Sequence, residues 1–259
     1  MASRHEYSTP TLIEKSLSLL DAIMLDAGAH SIAAIASSKK VPQATAYRIV
    51  SALVDQGMLV TVERGRYLPG LRLLDYARQV DPMQILARLA RPAVTRIAQR
   101  FRQDAHLAAM DGGMVTYLVK AGAAGAAAFA RQGMQLEAYC SGVGKVLLAH
   151  LPEDDLTEYL ANGPFIRLTP NTIVDPDVLR SHLAKVRIDG YALDNEEIAE
   201  GLRCLAVPVR DHRCQVIAAL SLSGRAGTLK PRRLVAVRAA LDDAAARLHV
   251  ALGGDGRTR

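Results

Sequence analysis

Polar side chains gather near the start of a predicted helix at residues 43–56, and their chemistry suits contact with a nucleic acid. The amide of Gln43 can pair with adenine in the major groove, and the guanidinium of Arg48 can reach guanine or a phosphate. The hydroxyl groups of Thr45 and Tyr47 suit phosphate oxygens. A helix that enters the groove presents its first turns to the bases. The residues predicted to contact DNA on this helix are Gln43, Ala44, Thr45, Tyr47 and Arg48.

Two of these side chains have a structural alternative. Tyr47 could be half-buried against the preceding helix. Arg48 could form an ion pair with Asp55, although the spacing of the two residues is poor for a pair on one helix face.

Basic residues flank this helix on both sides. Lys39 and Lys40 lie in the turn before it and would add affinity that falls with salt and does not depend on base sequence. Arg64 and Arg66 lie at the tip of a predicted hairpin and could touch the minor groove or its phosphates. Glu63 would repel phosphate, which argues against a large role for the hairpin.

The positive charge of the chain is unevenly placed. The net charge is +6, and the excess gathers in residues 37–104. Such a patch is typical of a surface that binds a polyanion. An ordinary solvated basic face is the alternative, and charge alone does not separate the two.

The elements that position these residues follow from apolar spacing and turn residues. The predicted elements are helices at 11–25, 31–36 and 43–56, then strands at 58–62 and 66–68 joined by a three-residue turn, Glu63 to Gly65. Helix, helix, turn and helix before a hairpin is the order of a winged helix-turn-helix.

A larger region of mixed helices and strands follows a predicted boundary near residue 80. Residues 71–80 predict a short helix, and a longer one runs to about residue 102, with Pro92 expected to kink or restart it. Further strands are predicted at 106–111, 115–119, 123–130, 202–209 and 216–222, and helices at 142–151, 153–161, 176–188 and 234–252. This pattern predicts an α+β domain with helices at both sequence ends.

Composition argues against several classes of protein. The chain is 50% hydrophobic and 22% charged, so it can bury sizeable cores. No run approaches the roughly 18 consecutive apolar residues of a membrane helix, and the first residues lack the apolar core of a signal peptide. The 3 cysteines are widely spaced, which predicts reduced thiols. We therefore expect a cytoplasmic protein with no membrane partner.

Two stretches together resemble the IclR family of bacterial transcription regulators, over roughly residues 11–252. The N-terminal stretch comprises SIAAIA from Ser31, VPQATAYR from Val41 and YLPG from Tyr67. The C-terminal stretch comprises SGVGKVLLA from Ser141, GYALDNEE from Gly190 and EGLRCLAVPV from Glu200. The C-terminal stretch is highly specific, whereas many regulator families share a helix-turn-helix.

The resemblance implies a winged helix-turn-helix at residues 1–70, a linker helix at 71–81 and a GAF-like effector-binding domain at 82–259. It also implies a homodimer, or a dimer of dimers, on a palindromic operator of double-stranded DNA. Such a protein represses or activates a catabolic operon in response to a small organic acid. The resemblance implies neither catalysis nor a cofactor.

By position in the matching motifs, the effector pocket would consist of Ser141, Gly142, Asp194, Cys204, Ser221 and Ser223. Ser141 and Gly142 precede a predicted helix, whose free N–H groups and positive dipole end favour a carboxylate. Ser221 and Ser223 alternate on a predicted strand, so both hydroxyls point to the same face. Cys204 has the alternative role of a small buried hydrophobic residue.

Two further residues bear on the effector. Asp194 suits an acidic ligand only if it is protonated, accepts a hydrogen bond from a ligand hydroxyl or caps a turn. The small side chains of residues 122–130 predict room for an aromatic or other mid-sized acid, with Phe129 as a stacking wall. A packed Ala-rich strand is the alternative for this segment.

Other classes of protein have less support. A GAF-like redox or thiol enzyme, or a thiol sensor, would use Cys140, Cys204 or Cys214. A metal sensor could add His150 to these thiols. The sequence carries no clustered Cys/His motif, G-x-S-x-G, P-loop or G-x-G-x-x-G that would indicate a metal or a catalytic site. An architectural DNA binder without a ligand needs no large C-terminal region.

Overall fold

The computed structural model describes residues 11–122 and 131–255. The chain divides into two units, Met1–Asp81 and Pro82–Arg259. The strand predicted at 123–130, and Phe129 with it, lie outside the described residues.

The first unit follows the predicted order of helices and strands. Its described elements are α1 (Leu12–Asp26), α2 (Ile32–Ser38), α3 (Gln43–Asp55), β1 (Leu59–Glu63), β2 (Arg66–Pro69) and α4 (Arg72–Arg78). Thr11 and Glu14 form a capping box that starts α1, and the Ser31 hydroxyl accepts a hydrogen bond from the N–H of Ala34 at the start of α2. The apolar stripes of the three long helices and β1 meet in one core, which includes Leu19 and Val50.

The hairpin turn is shorter than the sequence predicted. Glu63 of β1 pairs directly with Arg66 of β2, so Arg64 and Gly65 alone form the turn. Gly65 has a φ of 79°, which glycine adopts without a steric cost. The predicted three-residue turn is therefore wrong by one residue.

The second unit is an antiparallel sheet with helices on both faces. Its described elements are α5 (Pro82–Phe101), β3 (Asp104–Asp111), β4 (Met114–Ala121), β5 (Gln135–Glu137), α6 (Gly142–Leu148), α7 (Glu153–Ala161), α8 (Pro176–Asp189), β6 (Ala192–Asn195), β7 (Leu202–Arg210), β8 (Val216–Arg225) and α9 (Pro231–Ala251). Among the described residues, the sheet has the strand order β5-β4-β3-β8-β7-β6.

Alternation along the strands divides the sheet between two cores. Leu107 of β3 and Leu220 of β8 face the core that α5 and α9 cover. Ala108 and Ala219, one residue along each strand, face the core that contains α6. Strand residues of even number in β3 and odd number in β8 therefore lie beneath α6.

Pro92 does not restart the helix, because α5 runs without interruption from Pro82 to Phe101. The missing N–H would have donated to the carbonyl of Arg88. Pro92 and Arg88 are both exposed, so water can reach that carbonyl. In the part of the chain that the structure describes, no helix is long and apolar enough to cross a membrane.

Candidate functional site

Helix α3 divides into a buried face and an exposed face that carries the predicted contacts. Ala46, Ile49 and Val50 are buried in the core of the first unit. Gln43, Ala44, Tyr47 and Arg48 are exposed, and Thr45 is half-buried. Tyr47 is 43% exposed, which fits both a contact with DNA and the alternative of half-burial against the preceding helix. The first turns of α3 therefore present an amide, a hydroxyl and a guanidinium to solvent.

The turn before α3 presents two ammonium groups. Lys39 and Lys40 are both exposed. Lys40 has a φ of 54°, and the N–H of Val41 then donates to the carbonyl of Ala36 at 2.9 Å. This backbone geometry closes the helix-turn-helix and fixes both lysines beside the start of α3.

The hairpin offers less positive charge than its arginines suggest. Arg64 and Arg66 are exposed, and the Arg66 guanidinium lies 3.5 Å from the Glu63 carboxylate. This exposed pair contributes little to stability, but it offsets one of the two positive charges at the tip. The expectation of a minor role for the hairpin remains.

A row of polar residues crosses the sheet of the second unit beneath α6. Asp104 of β3 pairs with Ser223 of β8, Ser223 pairs with Cys204 of β7, and Cys204 pairs with Asp194 of β6. Residues in register on neighbouring strands point to the same face, so these four side chains line up across four strands. Non-local pairing thus brings together three of the residues that the motifs had suggested.

A second polar row lies beside the first. His106 of β3 pairs with Ser221 of β8, and the Ser221 hydroxyl lies 3.5 Å from His106 Nδ1. Both side chains are buried. The edge of the Tyr117 ring meets the imidazole, with ring centroids 5.1 Å apart and planes at 79°. Ser221 and Ser223 therefore share a face, as alternation predicts.

The start of α6 covers these rows at close range. A Cβ on Gly142 would lie 3.2 Å from Cys204 Sγ, so the helix backbone almost touches β7. The Ser141 hydroxyl accepts from the N–H of Gly144 at 3.1 Å, and the N–H of Ser141 donates to the carbonyl of Ala138 at 3.3 Å. The N–H of Ser141 is thus engaged within the protein, whereas the backbone of Gly142 lies beside the Cys204 thiol. The use of these N–H groups by a carboxylate stays a prediction.

A cavity of about 20 Å³ lies between α6 and the two polar rows. Its lining consists of His106, Tyr117, Ser141, Gly142, Asp194, Ile198, Leu202, Cys204 and Ser223. Ser221 does not line the cavity, but its hydroxyl lies beside His106, which does. Sequence reasoning missed His106, Tyr117, Ile198 and Leu202. The available signal for His106 was its place in the alternating strand 106–111, which puts it on one face with Ala108.

Burial shifts the pKa values of the groups around this cavity. Removal from water raises the pKa of Asp194 to about 7 and that of Cys204 to about 12. Burial, helped by the nearby charge of Lys120, lowers the pKa of His106 to about 3. At neutral pH the imidazole and the thiol are uncharged, and Asp194 is close to half protonated.

A buried ion pair supports the Asp194 end of the cavity. Lys145 Nζ lies 2.5 Å from Glu197 Oε1 and donates to the carbonyl of Leu193 at 2.7 Å. The N–H of Glu197 in turn donates to Asp194 Oδ1 at 2.8 Å. Asp194 therefore caps a turn, one of the roles predicted for it, and Lys145 fixes that turn against α6.

The two buried thiols, Cys140 and Cys204, lack the reactive form of a catalytic cysteine. Burial raises the pKa of Cys140 to about 12, as it does for Cys204, so both are protonated and weak nucleophiles. Within residues 11–122 and 131–255, no group of three or more His, Cys, Asp or Glu side chains is placed to hold a metal ion.

Comparison with known proteins gives the family. Residues 12–63 match the IclR helix-turn-helix domain, and residues 78–250 match the bacterial transcriptional regulator IclR C-terminal domain. The regulator XynR of Escherichia coli strain K12 is 33% identical over 243 residues, which are 93% of this chain and 96% of XynR.

Solved structures give the same result. The IclR of Thermotoga maritima is 30% identical, with a TM-score of 0.62 over 93% of this chain and 98% of that one. An IclR homolog from Microbacterium hydrocarbonoxydans, complexed with 4-hydroxybenzoate, is 27% identical, with a TM-score of 0.62 over 94% and 99%. These relatives are transcriptional regulators, so they give no support to a thiol enzyme. The chain belongs to the IclR family of bacterial transcriptional regulators, with an N-terminal helix-turn-helix that binds DNA.

Proposed function

We propose that the cavity beneath α6 binds a small organic acid, of an aromatic kind, and that this acid sets the affinity of the helix-turn-helix for its operator. Residues 1–70 bind the operator, 71–81 link the domains, and 82–259 bind the effector. The protein acts in the cytoplasm on a catabolic operon, as a homodimer or a dimer of dimers on a palindromic site. The observation that carries this proposal is the cavity beneath α6, which Ser223, Cys204 and Asp194 of the polar row line.

The lining of the cavity suits a ligand that is partly apolar and partly polar. Tyr117, Ile198 and Leu202 supply apolar surface, while Ser141, Ser223 and Asp194 supply hydroxyl and carboxyl groups. A few polar groups within an apolar lining are typical of small-molecule sites. The Microbacterium hydrocarbonoxydans homolog complexed with 4-hydroxybenzoate supports an aromatic acid as the ligand class.

The size of the cavity supports a regulatory role. A volume of about 20 Å³ is just above what one water molecule needs. A benzene ring can enter only if the lining moves, so the acid binds a different conformation from the one described. A ligand with unequal affinity for two conformations shifts the population between them. Binding of the acid is thereby linked to the shape of the protein.

On the DNA side, the proposed contacts are Lys39, Lys40, Gln43, Ala44, Thr45, Tyr47 and Arg48, with Arg64 and Arg66 at the hairpin. Exposure of α3's polar face supports this assignment. Gln43 and Arg48 are proposed to contact bases, and the lysines and hydroxyls to contact phosphates.

A thermal-shift screen of the full chain against organic acids tests the effector class. The screen includes 4-hydroxybenzoate, 3-hydroxybenzoate, benzoate, pyruvate and glyoxylate. An acid at about 100 times its Kd stabilises the protein by roughly 2.7 kcal/mol, which is several degrees in Tm. We expect a shift with an aromatic acid, lost in Ser223→Ala and kept in Ser181→Ala, whose serine is exposed on α8. A shift with pyruvate and glyoxylate alone would contradict an aromatic effector.

A further inference from the structure

His106 is a buried imidazole with one nitrogen unaccounted for. The residue is 3% exposed and lines the cavity beneath α6. Among the described residues, its Nε2 atom has no hydrogen-bond partner. Buried polar atoms of this kind are rare in proteins and call for an explanation. A molecule in this cavity, either a water or a polar group of a ligand, can supply that partner.

The neighbours of Nδ1 decide which nitrogen carries the proton. Burial lowers the pKa of His106 to about 3, so the ring is neutral and has a single N–H. The Ser221 hydroxyl lies between His106 Nδ1, at 3.5 Å, and the sulfur of Cys204. Sulfur is a weak acceptor, and the Cys204 thiol is protonated. The Cys204 thiol therefore donates to the Ser221 oxygen, and the Ser221 hydroxyl donates to His106 Nδ1. Because Nδ1 accepts this hydrogen bond, the one proton of the neutral ring is on Nε2.

The charge around His106 favours an anion as the partner of this N–H. The ammonium of Lys120, whose residue pairs with His106 across β3 and β4, is close enough to disfavour a charged imidazole. Lys120 Nζ lies 3.2 Å from Asp104 Oδ2, with both side chains less than a fifth exposed. Asp104 offsets much of the charge of Lys120, so an anionic ligand group meets no net negative charge at this end. Asp194, at the far end of the cavity, would repel an anion when it is ionised.

The separation of the two ends suits a ring with opposite substituents. His106 lies on β3 and Asp194 on β6, three strand spacings apart in the sheet. This is about 14 Å between strand axes. An aromatic acid with a hydroxyl across the ring from its carboxylate has hydrogen-bonding groups at both ends to span such a separation. Its hydroxyl would donate to Asp194.

We propose that His106 is a specificity residue, whose Nε2–H donates a hydrogen bond to the carboxylate of an aromatic acid effector. The proposal rests on the proposed function, since it places that effector in the cavity. It adds an orientation, with the carboxylate at the β3 end and the hydroxyl at Asp194. It also explains why a neutral histidine faces a site for an acid.

Two substitutions test this by isothermal titration calorimetry of the full chain. His106→Gln keeps an N–H near the position of Nε2, and His106→Asn removes it while keeping a polar group toward Ser221. We expect His106→Asn to weaken 4-hydroxybenzoate about 10- to 100-fold, as for loss of a hydrogen bond to a charged group, and His106→Gln to stay within about threefold of wild type. The affinity for 4-hydroxybenzyl alcohol, which lacks the carboxylate, should change little in either variant. Equal losses for acid and alcohol in His106→Asn would overturn the proposal.

A measurement on the wild-type protein makes the test independent of variant folding. Long-range proton–nitrogen NMR of histidine-labelled protein distinguishes a protonated Nε2 from a protonated Nδ1, and 4-hydroxybenzoate should shift the Nε2 signal of His106. A proton on Nδ1 overturns the inference about His106 while the proposed function stands. Failure of 4-hydroxybenzoate, 3-hydroxybenzoate and benzoate to bind the wild type would contradict the aromatic effector, and the carboxylate partner of His106 with it.

Discussion

The ammonium of Lys145 lies 2.5 Å from the carboxylate of Glu197, and the two side chains are 0% and 6% exposed. Lys145 comes from the SGVGK segment and Glu197 from the DNEE segment, so the ion pair joins the two C-terminal motifs. Because the Glu197 N–H donates to Asp194, the pair fixes the residue at one end of the effector cavity.

Removal of one partner should leave a charge buried without compensation. We expect Lys145→Met to lower the free energy of unfolding by about 3–5 kcal/mol. Lys145→Met with Glu197→Gln should be less destabilised, since the buried charge has gone. Urea denaturation followed by circular dichroism measures both, with Lys185→Met on the exposed side of α8 as the control. A loss in Lys145→Met no larger than that of the control would contradict this role.

Two glycines at the start of α6 should respond differently to alanine. A Cβ on Gly144 would lie 2.2 Å from the carbonyl oxygen of Ala138, so the helix backbone must move. We expect Gly144→Ala to cost about 1–3 kcal/mol or more of stability. A Cβ on Gly142 meets the Cys204 sulfur at 3.2 Å, so Gly142→Ala should cost less stability than Gly144→Ala and should weaken effector binding. Thermal unfolding measures the stability of both variants, and calorimetry measures their effector binding. Equal stability of the two variants would contradict this prediction.

The raised pKa of Asp194 makes part of the stability depend on pH. Burial raises this pKa from 3.8 to about 7, so between about pH 4 and 7 the folded state holds a proton that the unfolded state has lost. The stability contributed by that proton is present at low pH and is lost as the pH rises through 7. His106, with its pKa lowered to about 3, acts in the opposite sense between about pH 3 and 6.5.

Asp194→Asn isolates the first effect, because His106 is common to both proteins. The unfolding free energy of wild type minus that of Asp194→Asn should fall by an amount on the order of a few kcal/mol from pH 4 to 8. Urea denaturation at a series of pH values gives this difference. A difference that stays constant with pH would show that Asp194 keeps an ordinary pKa in the folded protein.

Substitutions at base contacts and at phosphate contacts in the first unit should have different effects on DNA affinity. Loss of a base contact should affect binding to the operator alone, and loss of a phosphate contact should change the salt dependence of binding. We expect Gln43→Ala to cost about 1–3 kcal/mol on an operator selected from random DNA and to change binding to unrelated DNA little. Lys39→Gln with Lys40→Gln should weaken both and lower the salt slope by about 2. Fluorescence anisotropy with duplex DNA provides both values, and Lys185→Gln is the matched control. An unchanged slope in the double variant would remove the lysines from the interface.

Much of the fold could be predicted because apolar residues recur at regular spacing along the longer helices and strands. The predicted bounds of α2 and α3 are within about two residues of those observed, and alternation at Ser221 and Ser223 gave their common face. Strands β5 and β6, with 3 and 4 residues, are too short to show an alternation and were missed.

The parts of the cavity that escaped prediction depend on contacts between distant residues. His106 contacts Ser221, which is 115 residues further along the chain. Lys145 forms its ion pair with Glu197, which is 52 residues further along. Strand register decides the first contact, and the packing of α6 against the turn after β6 decides the second. Local periodicity in the sequence predicts neither. The contact of Gly142 with Cys204 likewise depends on how closely α6 approaches β7.

The most direct test of the account is the affinity for the selected operator, measured by anisotropy with and without a saturating aromatic acid that binds in the calorimeter. A coupling of about 1–3 kcal/mol predicts that the acid changes the operator affinity of the wild type by about 5- to 150-fold. The change should shrink in His106→Asn at an acid concentration that saturates only the wild type. Operator affinity that stays the same while the acid is bound would contradict the claim that the cavity controls the helix-turn-helix.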